Sequence, residues 1–132
     1  MTLKWDGREC WAVVLGASSG FGAAVAKAWA RAGFGIIGVH LDMRATRADA
    51  QAVRDEIAAM GVPVHFFNTN AAYDAKREKV IGAITETIDE RRAAGERPMV
   101  GAMLHSLAFG ATLHYVTDAA ERKELSRKQL EM

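Results

Sequence analysis

A chain of 132 residues has room for one domain, and with half its residues apolar and a quarter charged it can bury an ordinary core. Lys and Arg number 17 against 16 Asp and Glu, a formal net charge of +1, so nothing in the balance draws the chain to nucleic acid or to an acidic membrane. The single cysteine, Cys10, excludes a disulfide framework and a paired-cysteine metal site, and it fits a reducing, cytoplasmic setting.

Lys4, Asp6, Arg8 and Glu9 precede the first apolar run, Trp11-Ala12-Val13-Val14-Leu15, which is too short for a signal peptide or a membrane span. An unbroken apolar run fits a strand buried on both faces of a parallel sheet. A glycine-rich turn follows from Gly16 to Gly22. Val25, Ala26, Trp29 and Ala30 then recur at helical spacing, and Gly33 closes that helix. Ile36-Ile37-Gly38-Val39 reads as a second buried strand. Val53, Ile57 and Met60 stripe a second helix that Gly61 and Pro63 terminate. Val64-His65-Phe66-Phe67 is a third strand. Val80, Ile81, Ile84 and Ile88 stripe a third helix ending near Gly95, and Met99 to Leu104 is a fourth strand.

Strands alternating with helices predict an α/β fold with a parallel sheet and right-handed crossovers. Beyond Ser106 the pattern weakens. Residues 108–118 read as a loop, and Ser126 with Gln129 forms a capping box for a helix that has no body before Met132. The expectation is a truncated sheet. Its fourth strand carries no charge to block pairing at the edge, which implies a homo-oligomer or cover from residues outside the chain.

The turn Gly16-Ala17-Ser18-Ser19-Gly20-Phe21-Gly22 sits where a phosphate-binding turn must sit, after a buried strand and opening a helix. Gly16 lets the chain turn off the strand, Gly20 lets the backbone approach a pyrophosphate, and Gly22 lets the helix pack closely. The unpaired N–H groups of the first helical turn would face the anion, and Ser18 and Ser19 can add hydroxyl hydrogen bonds to phosphate or ribose. No Gly-Lys-[Ser/Thr] follows, which excludes a Walker-type phosphate loop. Asp42, 20 residues past Gly22, stands where a carboxylate would accept the adenosine ribose hydroxyls and favour NAD. Arg44 and Arg47 follow closely and suit the 2′-phosphate of NADP instead. His40, His65 and His114 have no ligand spacing among themselves, so no metal is expected.

Gly16 to Gly22, with the run on to Ala32, resembles the cofactor motif of the short-chain dehydrogenases/reductases, T-G-x-x-x-G-x-G. Leu15 replaces the usual threonine. The resemblance covers roughly residues 8–110. It implies a Rossmann-type sheet of strand order 3-2-1-4, one NAD(P)-binding domain over residues 1–132, and a parent oxidoreductase that reduces a carbonyl or enoyl group by hydride transfer. It assigns the turn residues Gly16, Ser18, Ser19, Gly20, Phe21 and Gly22 to the cofactor. His40 occupies the position that selects the cofactor in many members, and Asn68-Thr69 the position that faces adenine. Ser106, Leu107 and Ala108 would lie near the nicotinamide. His105-Ser106-Leu107-Ala108-Phe109 is similar to the H-S-x-x-F of the enoyl-acyl-carrier-protein reductase branch, whose substrates are acyl thioesters, whereas the glycine turn is unlike that branch.

The family's catalytic pair, a tyrosine with a lysine four or seven positions on, has no match. Tyr73 is followed at those spacings by Arg77 and Val80, and Tyr115 by Ala119 and Arg122. No catalytic residue is assigned. The rival expectation is a non-catalytic nucleotide-binding module, complete at this length.

Overall fold

The computed structural model of the chain describes residues 2–107. In chain order the elements are β1 (Lys4–Trp5), β2 (Arg8–Leu15), α1 (Gly20–Arg31), β3 (Gly35–His40), α2 (Arg47–Ala58), β4 (Val64–Asn68), α3 (Asp74–Ala93) and β5 (Pro98–His105). The four long strands are parallel in the order β4-β3-β2-β5. This is the expected 3-2-1-4 order, since β2 is the first strand of the alternating pattern.

The short β1 is an addition. It pairs antiparallel with the start of β2 through a turn at Asp6 and Gly7, both at positive φ. An Asp-Gly pair in that backbone conformation is a strong hairpin signal. Strand β2 also begins three residues before the apolar run. It includes Glu9, which is 1% exposed. The charge is tolerated because Arg91 donates to both carboxylate oxygens, at 2.9 and 2.6 Å, and the Trp11 indole N–H donates to one at 2.7 Å. That bidentate pair also pins the last turns of α3 to the sheet.

Period-two alternation on β2 divides the core between the two faces of the sheet. Ala12 and Val14 point toward α1 and α2, where Ala26, Ala30, Ile36, Ile57 and Val62 complete one cluster. Trp11, Val13 and Ile37 point toward α3, against Ile84 and Ile88. Each fully buried Val or Ile here contributes about 1.5–3 kcal/mol. The buried face of α1 is made of Gly22, Ala23, Ala26 and Ala30, residues small enough to let the helix axis lie close to the sheet. At its end Gly33 takes φ 96°, and the Gly33 and Phe34 N–H groups bond back to Ala30 and Trp29. On α3 the inward residues are Val80, Ile84, Thr87 and Ile88, while Ile81 is exposed. A bulge at Gly101 leaves that residue unpaired in β5 and brings Ala102 and Leu104 into register with Ala12 and Val14. Among the described residues no helix is long and apolar enough to cross a membrane.

Candidate functional site

The carboxyl ends of β2, β3, β4 and β5 meet at one edge of the sheet, and the sequence-assigned residues gather there. Leu15 at the end of β2 lies between Val39 on β3 and His105 on β5. The chain then leaves the strand held on both sides. The N–H groups of Gly16 and Ala17 both donate to the Val39 carbonyl, at 2.7 and 3.2 Å, and the Ser106 N–H donates to the Leu15 carbonyl at 2.8 Å.

Three glycines shape the turn for different reasons. Gly16 has φ 89°, and a Cβ on it would strike the Ser106 carbonyl. Gly22 has ordinary helical backbone, but its Cβ would overlap the Gly16 carbonyl, so the first turn of α1 lies directly against the loop. Gly20 has φ 54° and meets nothing within 4 Å where a Cβ would stand. Packing explains the first two, whereas the open space before Gly20 is what the approach of a ligand to its backbone requires. Helix α1 begins here. Its N-cap Ser19 is extended, makes no side-chain cap hydrogen bond, and no acidic residue stands in the first turn. The helix therefore presents its N-terminal N–H groups and the positive end of its dipole without an internal anion. Phe21 is exposed beside them.

The ends of β3 and β4 form a second, polar cluster. His40 is buried against the Phe66 ring, with centroids 5.5 Å apart, and its Nδ1 lies 2.7 Å from an Asp42 carboxylate oxygen. Their side chains are 8% and 10% exposed. Burial pushes the Asp42 carboxyl up, but hydrogen bonds from Ser18, Thr46 and His40, with the charge of His40, outweigh it and hold the carboxyl below its ordinary value. An ionised carboxylate only accepts, so Nδ1 of His40 carries the proton. Asn68 closes the other side: Asp42 N–H donates to its amide oxygen at 2.8 Å, and its amide nitrogen donates to the Asp42 carbonyl at 3.0 Å. Thr69 N–H donates to the His40 carbonyl at 2.8 Å. A groove of about 340 Å³ runs past Asn68 and Thr69 over Phe66, Phe67 and Val80, with Lys76 and Lys79 at its side.

Gly16, Ser18, Ser19, Gly20, Phe21, Gly22, His40, Asp42, Asn68, Thr69, Ser106 and Leu107 thus share one end of the sheet. Ala108 lies outside the described residues, as do Phe109, Tyr115 and the capping pair Ser126 and Gln129. Two assignments meet unexpected surroundings. Asp42, read as a ribose contact, has its carboxylate against His40 Nδ1. The Asn68 amide, read as facing adenine, bonds to the Asp42 backbone. Sequence reasoning missed the pairing of His40 with Asp42, two residues apart at the end of β3.

No family model matches the chain, and no curated protein matches it in sequence. Solved structures do match in shape. A short-chain dehydrogenase/reductase from Burkholderia xenovorans aligns over 96% of this chain and 45% of its own, with a TM-score of 0.62 and 20% identity. A metagenomic short-chain oxidoreductase in complex with NADP aligns over 79% of this chain and 41% of its own, at TM-score 0.55 and 23% identity. An acetoin dehydrogenase from Salmonella typhimurium aligns over 80% and 39%, at TM-score 0.56 and 20% identity. The chain spans less than half the length of each. With the strand order and the glycine turn already described, these likenesses lead to one conclusion: the chain has the fold of the short-chain dehydrogenases/reductases, over somewhat less than half their length.

Proposed function

We propose that this chain is the dinucleotide-binding domain of an NAD(P)-dependent oxidoreductase whose reaction is the reduction of a carbonyl or enoyl group. The observation that carries the reading is the open space before Gly20 at an uncapped helix N-terminus, fitted for a pyrophosphate. The N–H groups of the turn and of the first turn of α1 would hold the phosphates, with the exposed Ser19 hydroxyl and Phe21 beside them. The adenosine would lie toward His40, Asp42, Asn68 and Thr69, and the nicotinamide toward Ser106, Leu107 and Ala108, at the carboxyl end of the sheet. When bound, the reduced cofactor supplies a hydride; the part of these residues is to bind and orient it.

Asp42 is the ground for preferring NAD. Its engagement with His40 weakens that ground, and the exposed Arg44 and Arg47 support NADP. The enoyl branch rests on His105 and Ser106 at the end of β5, and it would make acyl thioesters the substrates. A cytoplasmic location and a homo-oligomer accompany the proposal. The test is fluorescence titration with NADH and with NADPH, on the chain and on Gly20→Val. Binding that the branched side chain abolishes supports the reading, and equal binding by both proteins overturns it. The second reading, a non-catalytic nucleotide-binding module, draws on the absence of a lysine at either family spacing from Tyr73 or Tyr115.

A further inference from the structure

We propose that His40 is the cofactor-discriminating side chain and that Asp42 acts through it as a positioning residue. Asp42 fixes the imidazole tautomer that offers a bare, accepting Nε2 to the adenosine ribose, so the site takes the free 2′-hydroxyl of NAD and disfavours the 2′-phosphate of NADP. The inference deepens the dinucleotide reading and rests on it for the ligand; the tautomer rests on contacts within the chain.

The face of β3 that carries His40 lies beneath the glycine turn. Two residues earlier on that face, a Cβ on Gly38 would meet the Phe66 ring and the Ala17 Cβ. Phe66 is also the ring that packs on His40. The intervening Val39 gives its carbonyl to the N–H groups of Gly16 and Ala17. His40 therefore ends the strand beside the one that feeds the phosphate turn, which is where a dinucleotide lays its adenosine ribose. Its backbone is held by the Thr69 N–H, which donates to the His40 carbonyl at 2.8 Å. From β4 the Asn68 amide grips Asp42 through both its backbone N–H and its carbonyl. Ring and carboxylate thus have little freedom to part.

The hydrogen bond between them decides which nitrogen carries the proton. An ionised carboxylate offers only lone pairs, so Nδ1, 2.7 Å away, is the N–H. In the neutral ring Nε2 is then a bare acceptor. Among the described residues nothing donates to Nε2, and it is not sealed from solvent, since the one buried side-chain nitrogen or oxygen there without a partner is Arg8 Nε. A ribose 2′-hydroxyl can donate to that lone pair. A 2′-phosphate brings acceptor oxygens and negative charge, and it would meet the lone pair with the Asp42 carboxylate behind it. Asp42 is itself nearly buried and engaged with the ring, so it shapes the contact without making it. Arg44 and Arg47, exposed just before and at the start of α2, are the groups that would hold a 2′-phosphate once the acceptor is gone.

The experiment uses the 132-residue chain and the variants His40→Phe, Asp42→Ala and the two combined. Each is titrated with NADH and with NADPH at pH 9, where an imidazole is neutral. Imidazole nitrogen NMR shifts of the unliganded chain, assigned to His40 by their loss in His40→Phe, report the tautomer. The expected shifts show a proton on Nδ1 and none on Nε2. The unaltered chain should bind NADH about tenfold more tightly than NADPH, the order of effect when an acceptor is left without its partner. His40→Phe should abolish that preference. Asp42→Ala, which frees the ring to carry its proton on Nε2, should abolish it too, and the combined variant should match His40→Phe, because the carboxylate acts only through the ring. A ring protonated at Nε2 in the unliganded chain overturns the proposal, and so does NADPH bound as tightly as NADH. A preference for NADH that survives His40→Phe and disappears only on adding Asp42→Ala also overturns it, since the carboxylate would then receive the hydroxyls itself. If neither cofactor binds, the dinucleotide reading fails and the proposal with it, whereas the other adverse results leave that reading standing.

Discussion

A side chain on Gly22 would collide with the carbonyl of Gly16. The two outer glycines of the motif are thus in contact with each other, and the requirement for Gly22 is one of packing, independent of any ligand. Gly20, between them, meets open space. The three positions should separate in mutagenesis. Gly22→Ala should cost about 3 kcal/mol of stability, the upper range for overpacking. Gly20→Ala should cost about 1 kcal/mol, the strain of a left-handed conformation outside glycine. Chemical denaturation of both variants measures this, and equal losses would contradict the separation.

The Glu9–Arg91 pair is the second test. Glu9 is almost fully buried, while Arg91 is 36% exposed at its side chain. Arg91→Met leaves the carboxylate with only the Trp11 donor. The expected loss is roughly 3 kcal/mol, the low end for breaking a buried pair, because Arg91 is partly in water. Glu9→Gln together with Arg91→Met should recover much of it, since no uncompensated charge remains. Denaturant midpoints of the single and double variants check the expectation.

Acid should destabilise the fold in two stages. Partial burial, with Arg54 nearby and Glu90 opposing, holds the His65 imidazole below its ordinary value. The unfolded chain binds that proton more tightly, so this contribution is complete above pH 6.5 and is lost as the pH falls. Hydrogen bonding to Arg91 lowers Glu9 against its burial, and the partners of Asp42 lower it in the same sense. Their contributions are present above the unfolded values of 4.5 and 3.8 and are lost as the pH falls through the folded ones. Unfolding midpoints measured from pH 8 to pH 3 should decline accordingly. His65→Gln should flatten the upper stage, and Asp42→Asn or Glu9→Gln the lower one.

Strand β5 pairs only with β2 among the described residues, and Val100 and Met103, in register with Trp11 and Val13, are exposed on the α3 face. An apolar edge without charge is a template for another strand. The 132-residue chain should self-associate in sedimentation, and Val100→Lys should shift it toward monomer. A monomer for both proteins would refute this.

The chain by itself should turn over neither a ketone nor an enoyl thioester. General acid catalysis contributes ~10²–10⁴-fold, and no tyrosine here has the partnering lysine. Steady consumption of NADH or NADPH with either substrate would contradict the prediction.

The parallel order of the long strands was legible because buried parallel strands are continuous apolar runs, such as Ile36-Ile37-Gly38-Val39, and glycines punctuate the helices between them. What escaped were residues whose role depends on distant partners. Glu9 reads as a polar terminus until Arg91 arrives from the last turns of α3. Ile81 fits the helical stripe, yet it lies just off the inward face defined by Val80, Ile84 and Ile88, and it is exposed. The hairpin at Asp6-Gly7 carried a local signal that was readable. At the site, the glycine turn was legible through its spacing. The joining of His40 and Asn68 on Asp42 was not, since it depends on how the ends of β3 and β4 meet.

The Ser106 carbonyl fills the space a side chain on Gly16 would need, and Leu15 pairs with His105 across nearly the whole described chain. The turn therefore reaches its final shape only once β5 docks on β2, a contact of long sequence separation and so a slow one to form. Local helix formation in α1 can precede it, but the cradle at the helix's first turn cannot. A dinucleotide that binds this turn would bind only chains whose last strand has arrived, and by mass action it would draw the folding equilibrium toward them.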